Sequence, residues 1–511
     1  MSVLSCLPYG VGHADEGICL QLQMGPYTIL LDCGMTSLEA LPFDSESPIP
    51  VDFVFCTHAD PEHGRSLLAL HQSWPDVPIY CSEATADLLP LNWPQVSLPD
   101  GADFCQRLPW RQSIELTQNL TAQLWPAGHL PGAACLLLTY AGTDRSYSVF
   151  YTGDFFLSNS RLSEGLPLNE LRGLKPDALI VEGTQGTARY PHRRQQENRL
   201  ADQINQALAT GHNILMPAPL IGLGQELLML LRSHHHFTGR DLTVWVDGWI
   251  AEACDIYLKL LPYLPSNVQN FARHQPLFWD DRILPRIQRL PRQLPAEPGR
   301  PAIVIGYQNA DLSGLANWGD TPWRIFLPDD LADRIVDAGL DHGDTHYQPT
   351  LAWLEHLSSA FETGSVCLET YLLSGHSDGA GTTQLIHNLR PHHVLLVHGP
   401  PGFLADLASL EDLQSRYKLH LPSANQRLEL SIGETFLQPA APDTVFEGEI
   451  AETADGITVS LPLEVKDDPR WNRLADTGIV QIRWQGNELI IRGISQQALF
   501  RQSPRSPQES S

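Results

Sequence analysis

Short apolar runs broken by turn residues fill the N-terminal third of the chain. Residues 18–22 (Ile-Cys-Leu-Gln-Leu) and 28–32 (Thr-Ile-Leu-Leu-Asp) flank Gly25-Pro26, which predicts a hairpin. Further strands are predicted over residues 51–56, 120–125, 135–140 and 148–152. The spacing of Leu67, Leu68 and Leu70 predicts a helix over about 65–74. Together these describe a β-rich sandwich with helices outside. From about Asn198 the period changes. Residues 204–208, 214–216, 224–231 and 242–246 alternate between helical and strand spacing, as in a parallel α/β unit. The Pro/Arg-rich stretch 273–300 is expected to be loop with a short helix, and a strand follows at 302–306. Strand and helix signals resume at 365–374, 382–389 and 394–397. Past the Pro/Ala-rich residues 437–442, positions 446–500 predict a small β appendage. The Ser/Pro/Gln-rich residues 501–511 predict disorder.

At 511 residues the chain exceeds one hydrophobic core, roughly 250–300 residues, so two or three domains are expected. A formal charge of −26 argues against broad electrostatic capture of nucleic acid. It leaves room for local basic grooves, since Arg189, His192, Arg193 and Arg194 cluster, as do Arg282, Arg286, Arg289 and Arg292. Nine Cys without a C-x-x-C pair predict reduced, mostly buried thiols and a cytoplasmic protein rather than a Cys-type zinc site. The N-terminus lacks the pattern of a signal peptide. No uncharged apolar run reaches the ~18 residues of a membrane span; the best, 214–231, is broken by Gln225, Glu226 and two prolines.

The candidate chemistry sits at strand ends. Directly after the apolar run 51–56 comes Thr57-His58-Ala59-Asp60-Pro61-Glu62-His63-Gly64, four metal-ligand types in six residues. His129 lies in Gly-His-Leu-Pro-Gly, Asp154 ends Tyr-Thr-Gly-Asp, and His398 ends Leu-Leu-Val-His-Gly. A ligand next to Gly at a strand end emerges from a rigid element into a shared mouth. One such residue is weak, because a lone His beside Gly is more often a loop residue; all of them together are a strong signal. The bland readings are a turn cap for Asp32, a solvated strand end for Glu182 and a backbone-bonded loop histidine for His376. His234-His235-His236 follows a helical run and reads as a solvated helix end. Trp245, Trp249, Trp318 and Trp323 read as core more than as base-stacking surface. The acidic pairs Asp280-Asp281, Asp329-Asp330 and Asp467-Asp468 read as solvated.

The order of these residues resembles the metallo-β-lactamase superfamily. An Asp after an early strand (Asp32) is followed by an H-x-H-x-D-H-like run (His58, Asp60, Glu62, His63), a His (His129), an Asp (Asp154) and a final His (His398). Val181-Glu182-Gly183-Thr184 and Ser374-Gly375-His376-Ser377-Asp378 resemble extra motifs of the β-CASP branch, whose members process nucleic acids. Asp60 stands where that pattern has His, and Glu62 where it has Asp. The segment Asn309-Ala310-Asp311 departs from the usual Ser/Gly-rich loop.

The resemblance implies an α/β fold: an αββα sandwich from residues 1–195 and 361–438, an inserted α/β domain over 196–360, a β appendage over 439–500 and a disordered tail, 501–511. It implies two divalent metal ions, zinc with manganese or iron as alternatives, since a carboxylate at position 60 favours harder ions. His58, Asp60 and His129 would hold one ion, and Glu62, His63 and His398 the other, with Asp154 bridging. The catalytic set it implies is Glu62, His376, Asp32 and Glu182. His376 protonates the leaving oxygen or clamps the phosphate, and Asp32 and Glu182 orient ligand histidines. The implied activity is RNA phosphodiester cleavage by a metal-activated water in a local groove whose RNA binding is steeply salt-sensitive. The implied partners are RNA, a second copy of the chain or other RNA-processing proteins, and no membrane. Two alternatives stay open: a degenerate homologue acting as scaffold or partner subunit, and a metallo-hydrolase acting on another ester.

Overall fold

The computed structural model describes residues 3–13, 16–41, 51–96, 104–291, 301–316, 318–332, 335, 348–432, 449–453, 456–460, 480–485 and 488–493. It divides into two units, Met1–Ala440 and Ala441–Ser511.

The first unit holds two seven-stranded sheets and one six-stranded sheet. The first sheet runs, edge to edge, Leu428–Glu429, Leu4–Val11, Ile18–Met24, Tyr27–Leu31, Phe53–Phe55, Ile79–Cys81 and Cys105–Arg107. The second runs Lys418–His420, His393–Val397, Ala178–Glu182, Ser146–Tyr151, Ala134–Ala141, Leu120–Pro126 and Ile114–Thr117. Alternation along their strands gives each sheet one apolar face. One core joins the two: Leu20, Ile29, Leu31 and Phe55 of the first with Leu124, Leu136, Val149 and Val397 of the second, all buried.

The expected hairpin closes at Gly25-Pro26, with Met24 opposite Tyr27. The strand Leu4–Val11 was not expected, because Pro8 and Gly10 punctuate it. A register shift between those two residues absorbs the irregularity.

The six-stranded sheet is parallel throughout: Arg286–Arg289, Thr243–Val246, Ala302–Tyr307, Asn213–Ala218, Trp323–Pro328 and Val366–Tyr371. The helices Arg193–Ala209, Leu223–Ser233 and Gly248–Lys259 belong to this region. Two expectations change here. Arg286–Arg289 is an edge strand, not loop, because Ile287 alone points into the core while its polar neighbours stay partly exposed. The last strand, Val366–Tyr371, lies past residue 360, where the sequence reading closes the insert.

Trp323 and Trp318 are buried core residues, as expected, and Trp245 packs partly buried against the same cluster. Trp249, 36% exposed, is not core. Eight cysteines are buried and all nine are free. In the second unit two hairpins are described, Glu449–Thr453 with Gly456–Ser460 and Val480–Gln485 with Glu488–Gly493. Arg292, Asp467-Asp468 and the expected tail 501–511 lie outside the described residues. No described helix is long and apolar enough to cross a membrane.

Candidate metal centre

Neighbouring parallel strands deliver the candidate ligands to one rim. Leu31 pairs with Phe55, so Asp32 and the 57–63 turn leave the first sheet side by side. In the second sheet Tyr151 pairs with Ile180 and Ile180 with Leu395, so Asp154, Glu182 and His398 leave together. The turn itself is a four-residue helix, Pro61–Gly64, with Pro61 at its first position, where the fixed φ suits a helix start. Asp60 stands at the N-cap, but its carboxylate does not cap the helix. It reaches His129 Nε2 at 3.0 Å and His58 Nε2 at 3.4 Å instead. Under this turn lies Gly34; a Cβ there would meet the Glu62 carbonyl oxygen at 1.6 Å, so only glycine fits.

Each histidine is anchored through one ring nitrogen. His63 Nδ1 donates to Asp32 Oδ2 (2.8 Å), and His129 Nδ1 to the Gly375 carbonyl (3.0 Å). His58 Nδ1 sits 3.0 Å from Thr57 Oγ1, and His398 Nδ1 3.0 Å from Thr184 Oγ1. The other nitrogens point inward. His58 Nε2 and His63 Nε2 lie 3.4 and 3.3 Å from the two oxygens of Asp154, and His398 Nε2 lies 3.1 Å from Glu62 Oε2. Two overlapping groups result: His58, Asp60, His129 and Asp154, and His63, Asp154 and His398, each with its ligand atoms within 4.8 Å. Glu62 stands outside the second group, against His398.

Three of these atoms, His58 Nε2, His63 Nε2 and Asp154 Oδ1, are buried without a hydrogen-bond partner. Such a group costs about 1–3 kcal/mol if left unmet. Divalent ions held by the two groups would meet these atoms, and the nitrogen and oxygen donor set suits zinc, manganese or iron.

The protonation of these groups follows from crowding. Burial works against charge on His63, yet Asp154 and Asp32 hold its pKa well above the usual value. Burial likewise opposes charge on His129, but Asp60 and Asp154 lift it to about 9. Burial would raise the carboxyl pKa values of Asp154 and Asp60. Instead His398 and His63 hold Asp154, and His129 and His58 hold Asp60, well below the ordinary range.

The remaining sequence candidates sit just outside these groups. Asp32, fully buried, accepts from Thr57 N (2.7 Å), the Thr57 hydroxyl, Tyr151 OH (2.6 Å) and His63. Glu182 accepts from His376 Nδ1 (2.9 Å), Phe155 N (2.7 Å) and the Thr184 hydroxyl. It therefore orients His376 directly and reaches a ligand-type histidine only through Thr184. Sequence reasoning assigned no role to Thr57, Tyr151 or Thr184; a Thr next to a strand end is too common to signal one. Asp32 (φ 58) and His398 (φ 52) both have left-handed backbone, a strain that clusters at functional sites.

Residues 27–212 match the family described as a beta-lactamase superfamily domain, and residues 366–419 match a Zn-dependent metallo-hydrolase RNA specificity domain. A protein of Synechocystis sp. described as uncharacterized is 46% identical over 519 residues, 98% of this chain and 89% of that protein. The chain belongs to the β-CASP branch of the metallo-β-lactamase superfamily. A more distant β-CASP relative, the endoribonuclease ysh1 of Schizosaccharomyces pombe, is 22% identical over 87% of this chain, which spans 62% of that protein's length. The fold is also that of a crystal structure of a protein of unknown function from Enterococcus faecalis V583, with a TM-score of 0.52 and 12% identity, covering 83% of this chain and 99% of that one. Members of this family are metal-dependent hydrolases, and the His/Asp cluster is this chain's candidate divalent-metal site.

Proposed function

We propose that this protein is a metal-dependent phosphodiesterase that cleaves RNA. The convergence of His58, His63, His129 and His398 with Asp60 and Asp154, three of their atoms buried and unmet, carries the reading. His58, Asp60 and His129 would hold one ion, and His63 and His398 the other, with Asp154 shared and Glu62 completing the second set through His398. When bound, such ions supply a nucleophilic water at neutral pH and stabilise charge developing on phosphoryl oxygens. The substrate would lie in a cleft of about 770 Å³, whose lining includes Asp60, His129, Asp154, His376 and His398 together with Leu220, Trp249 and Tyr307.

His376 is the group placed to move a proton. Glu182 takes its Nδ1, which fixes the ring and leaves Nε2 for the substrate. His376→Ala is expected to keep its metal and lose about a hundredfold or more in cleavage rate. Elemental analysis beside a cleavage assay on single-stranded RNA tests this. Cleavage at the wild-type rate with full metal would remove His376 from the mechanism.

The charged histidines make a second prediction. His129 holds a proton up to about pH 9 in metal-free protein, and an incoming ion must displace it. Zinc affinity is therefore expected to rise with pH below 9, about tenfold per unit for each proton released. A competition titration against a chromophoric chelator from about pH 6 to pH 8 reads this, and a flat affinity would contradict it.

The scaffold reading draws on Asp60 and Glu62, where the ligand types differ from the family pattern. Asp60 nonetheless keeps its carboxylate within ligand-like reach of His58 and His129, which favours the enzyme.

A further inference from the structure

The run His234-His235-His236 lies outside the rim clusters, and its sequence reading as a solvated helix end does not hold. His234 is the C-cap of the helix Leu223–Ser233 and is 7% exposed. The turn that follows carries His235 at the surface and His236 half-buried. The three rings crowd together. Their centroids are 4.3 Å apart for His234 and His235, 4.2 Å for His235 and His236, and 4.9 Å for His234 and His236. Each offers a ring nitrogen, and those three atoms lie within 4.8 Å of one another. Consecutive residues of a helix or strand would splay such rings apart, whereas this turn gathers them.

The outer two rings are held from a second helix. His234 Nε2 lies 3.3 Å from Asn198 Oδ1, and His236 Nε2 lies 2.7 Å from Asp202 Oδ1. Asn198 and Asp202 sit four residues apart on the helix Arg193–Ala209, so one face of that helix meets both. Both acceptors are oxygens, so in the neutral ring each Nε2 carries the proton and each Nδ1 keeps its lone pair. His234 Nδ1 faces the His236 backbone N–H across a long contact of 3.3 Å, which an ion can outcompete. Metal-ligating histidines are oriented in this way: one nitrogen donates to an oxygen and the other faces the ion. The surrounding charge also suits a cation. The run stands at the C-terminal, negative end of its own helix, and Asp202 adds a carboxylate. Arg161, which reaches Ser233 Oγ at 2.7 Å, is paired with Glu197 and so brings no free positive charge.

We infer that His234, His235 and His236 form a further metal site, separate from the rim, that takes a borderline divalent ion such as zinc, nickel or copper through three imidazoles. An all-nitrogen set favours these ions over manganese or magnesium. Water completes the coordination, since three protein ligands leave a position open. With His235 at the surface the ion exchanges with the buffer. Desalted protein has therefore lost it, and the equivalents counted at the rim do not include it. An ion here ties the end of the helix Leu223–Ser233 to the helix Arg193–Ala209 through Asn198 and Asp202. The site does not depend on the nuclease reading.

Calorimetric titration of zinc into chelator-treated, desalted protein tests this. The parent is Asp154→Ala, in which the rim is weakened, and it is compared with the same protein carrying His235→Ala and His236→Ala as well. The latter is expected to bind about one equivalent fewer. Any ion still held at the rim is common to both and cancels, and circular dichroism checks that the fold is kept. Asp202→Asn, at a side chain 70% exposed, is expected to keep that equivalent but to weaken it about 10–100-fold, as loss of an orienting carboxylate does. Equal stoichiometry with and without the two histidines overturns the site. An affinity indifferent to Asp202→Asn overturns the built geometry and leaves only loose capture by exposed imidazoles. In otherwise wild-type protein, His235→Ala with His236→Ala is expected to leave RNA cleavage unchanged, so failure of this site and failure of the nuclease reading are separate results.

Discussion

Asp154→Ala is expected to strip the protein of metal, from about two equivalents to well under one, and to lower RNA cleavage by about a thousandfold, the several kcal/mol that bound metal contributes. Among the described residues no other belongs to all three clusters at this rim: Asp154 appears with His58, Asp60 and His129, with His63 and His398, and with Glu182 and His376. Its two oxygens lie 3.4 Å from His58 Nε2 and 3.3 Å from His63 Nε2, so one side chain joins both groups. The same change matters without metal, because Asp154 is the leading attraction that raises the pKa of His63 and His398 against the effect of burial. Elemental analysis of wild type and variant, purified alike, gives the answer. Metal content close to wild type in the variant would mean that the two groups do not share this ligand. Less than about a tenth of an equivalent in the wild type, even after zinc or manganese reconstitution, would end the enzyme reading and leave a scaffold descended from a nuclease.

Asp32→Ala is expected to destabilise the chelated protein by about 4 kcal/mol, in the range reserved for broken buried networks. Four donors converge on this one carboxylate: Thr57 N, Thr57 OH, Tyr151 OH and His63 Nδ1. Removal leaves each buried donor unmet at about 1–3 kcal/mol apiece, with losses that do not simply add. Alanine also fits the left-handed backbone at position 32 less well than aspartate does. Asp32→Asn keeps the shape and tolerates that backbone, so about half the loss is expected, with metal affinity still down about 10–100-fold because His63 loses its orienting charge. Urea denaturation in the presence of chelator isolates the fold term, and a zinc titration isolates the site term. An unchanged urea midpoint in Asp32→Ala would show that other groups satisfy the four donors.

Much of this architecture is written locally. The hairpin at Gly25-Pro26, the apolar strand before His58 and the alternation from residue 198 onward are short-range patterns that give a β-rich sandwich and an α/β unit, while the αββα fold class follows from the resemblance carried by the order of the ligands. The candidate ligands were legible for a related reason: each ends an apolar run beside Gly, so the chemistry and the element that aims it share one short segment. What the sequence hides is set by distant pairing. Leu4–Val11 becomes a strand although it contains Pro8, because Ile18–Met24 and Leu428–Glu429 flank it on either side. Arg286–Arg289 becomes an edge strand because Thr243–Val246 offers a parallel neighbour. The clamps on the histidines, Thr57 on His58 and Thr184 on His398, have no sequence spacing that marks them. The assignment of Glu182 to His376 rather than to a ligand histidine likewise depends on where residue 376 returns to the rim.

The ligand set is also a statement about assembly. Glu62 and His398 lie 336 residues apart, and the whole six-stranded parallel sheet lies between them in the chain. A growing or refolding chain carries His58, His63, His129 and Asp154 long before it carries His398. The second group therefore closes only after the intervening α/β region has compacted enough to bring the chain back, a long-range closure of the slow kind. Metal held by the complete set would stabilise the finished molecule over every partly folded form, so an ion there would act as a latch on completion.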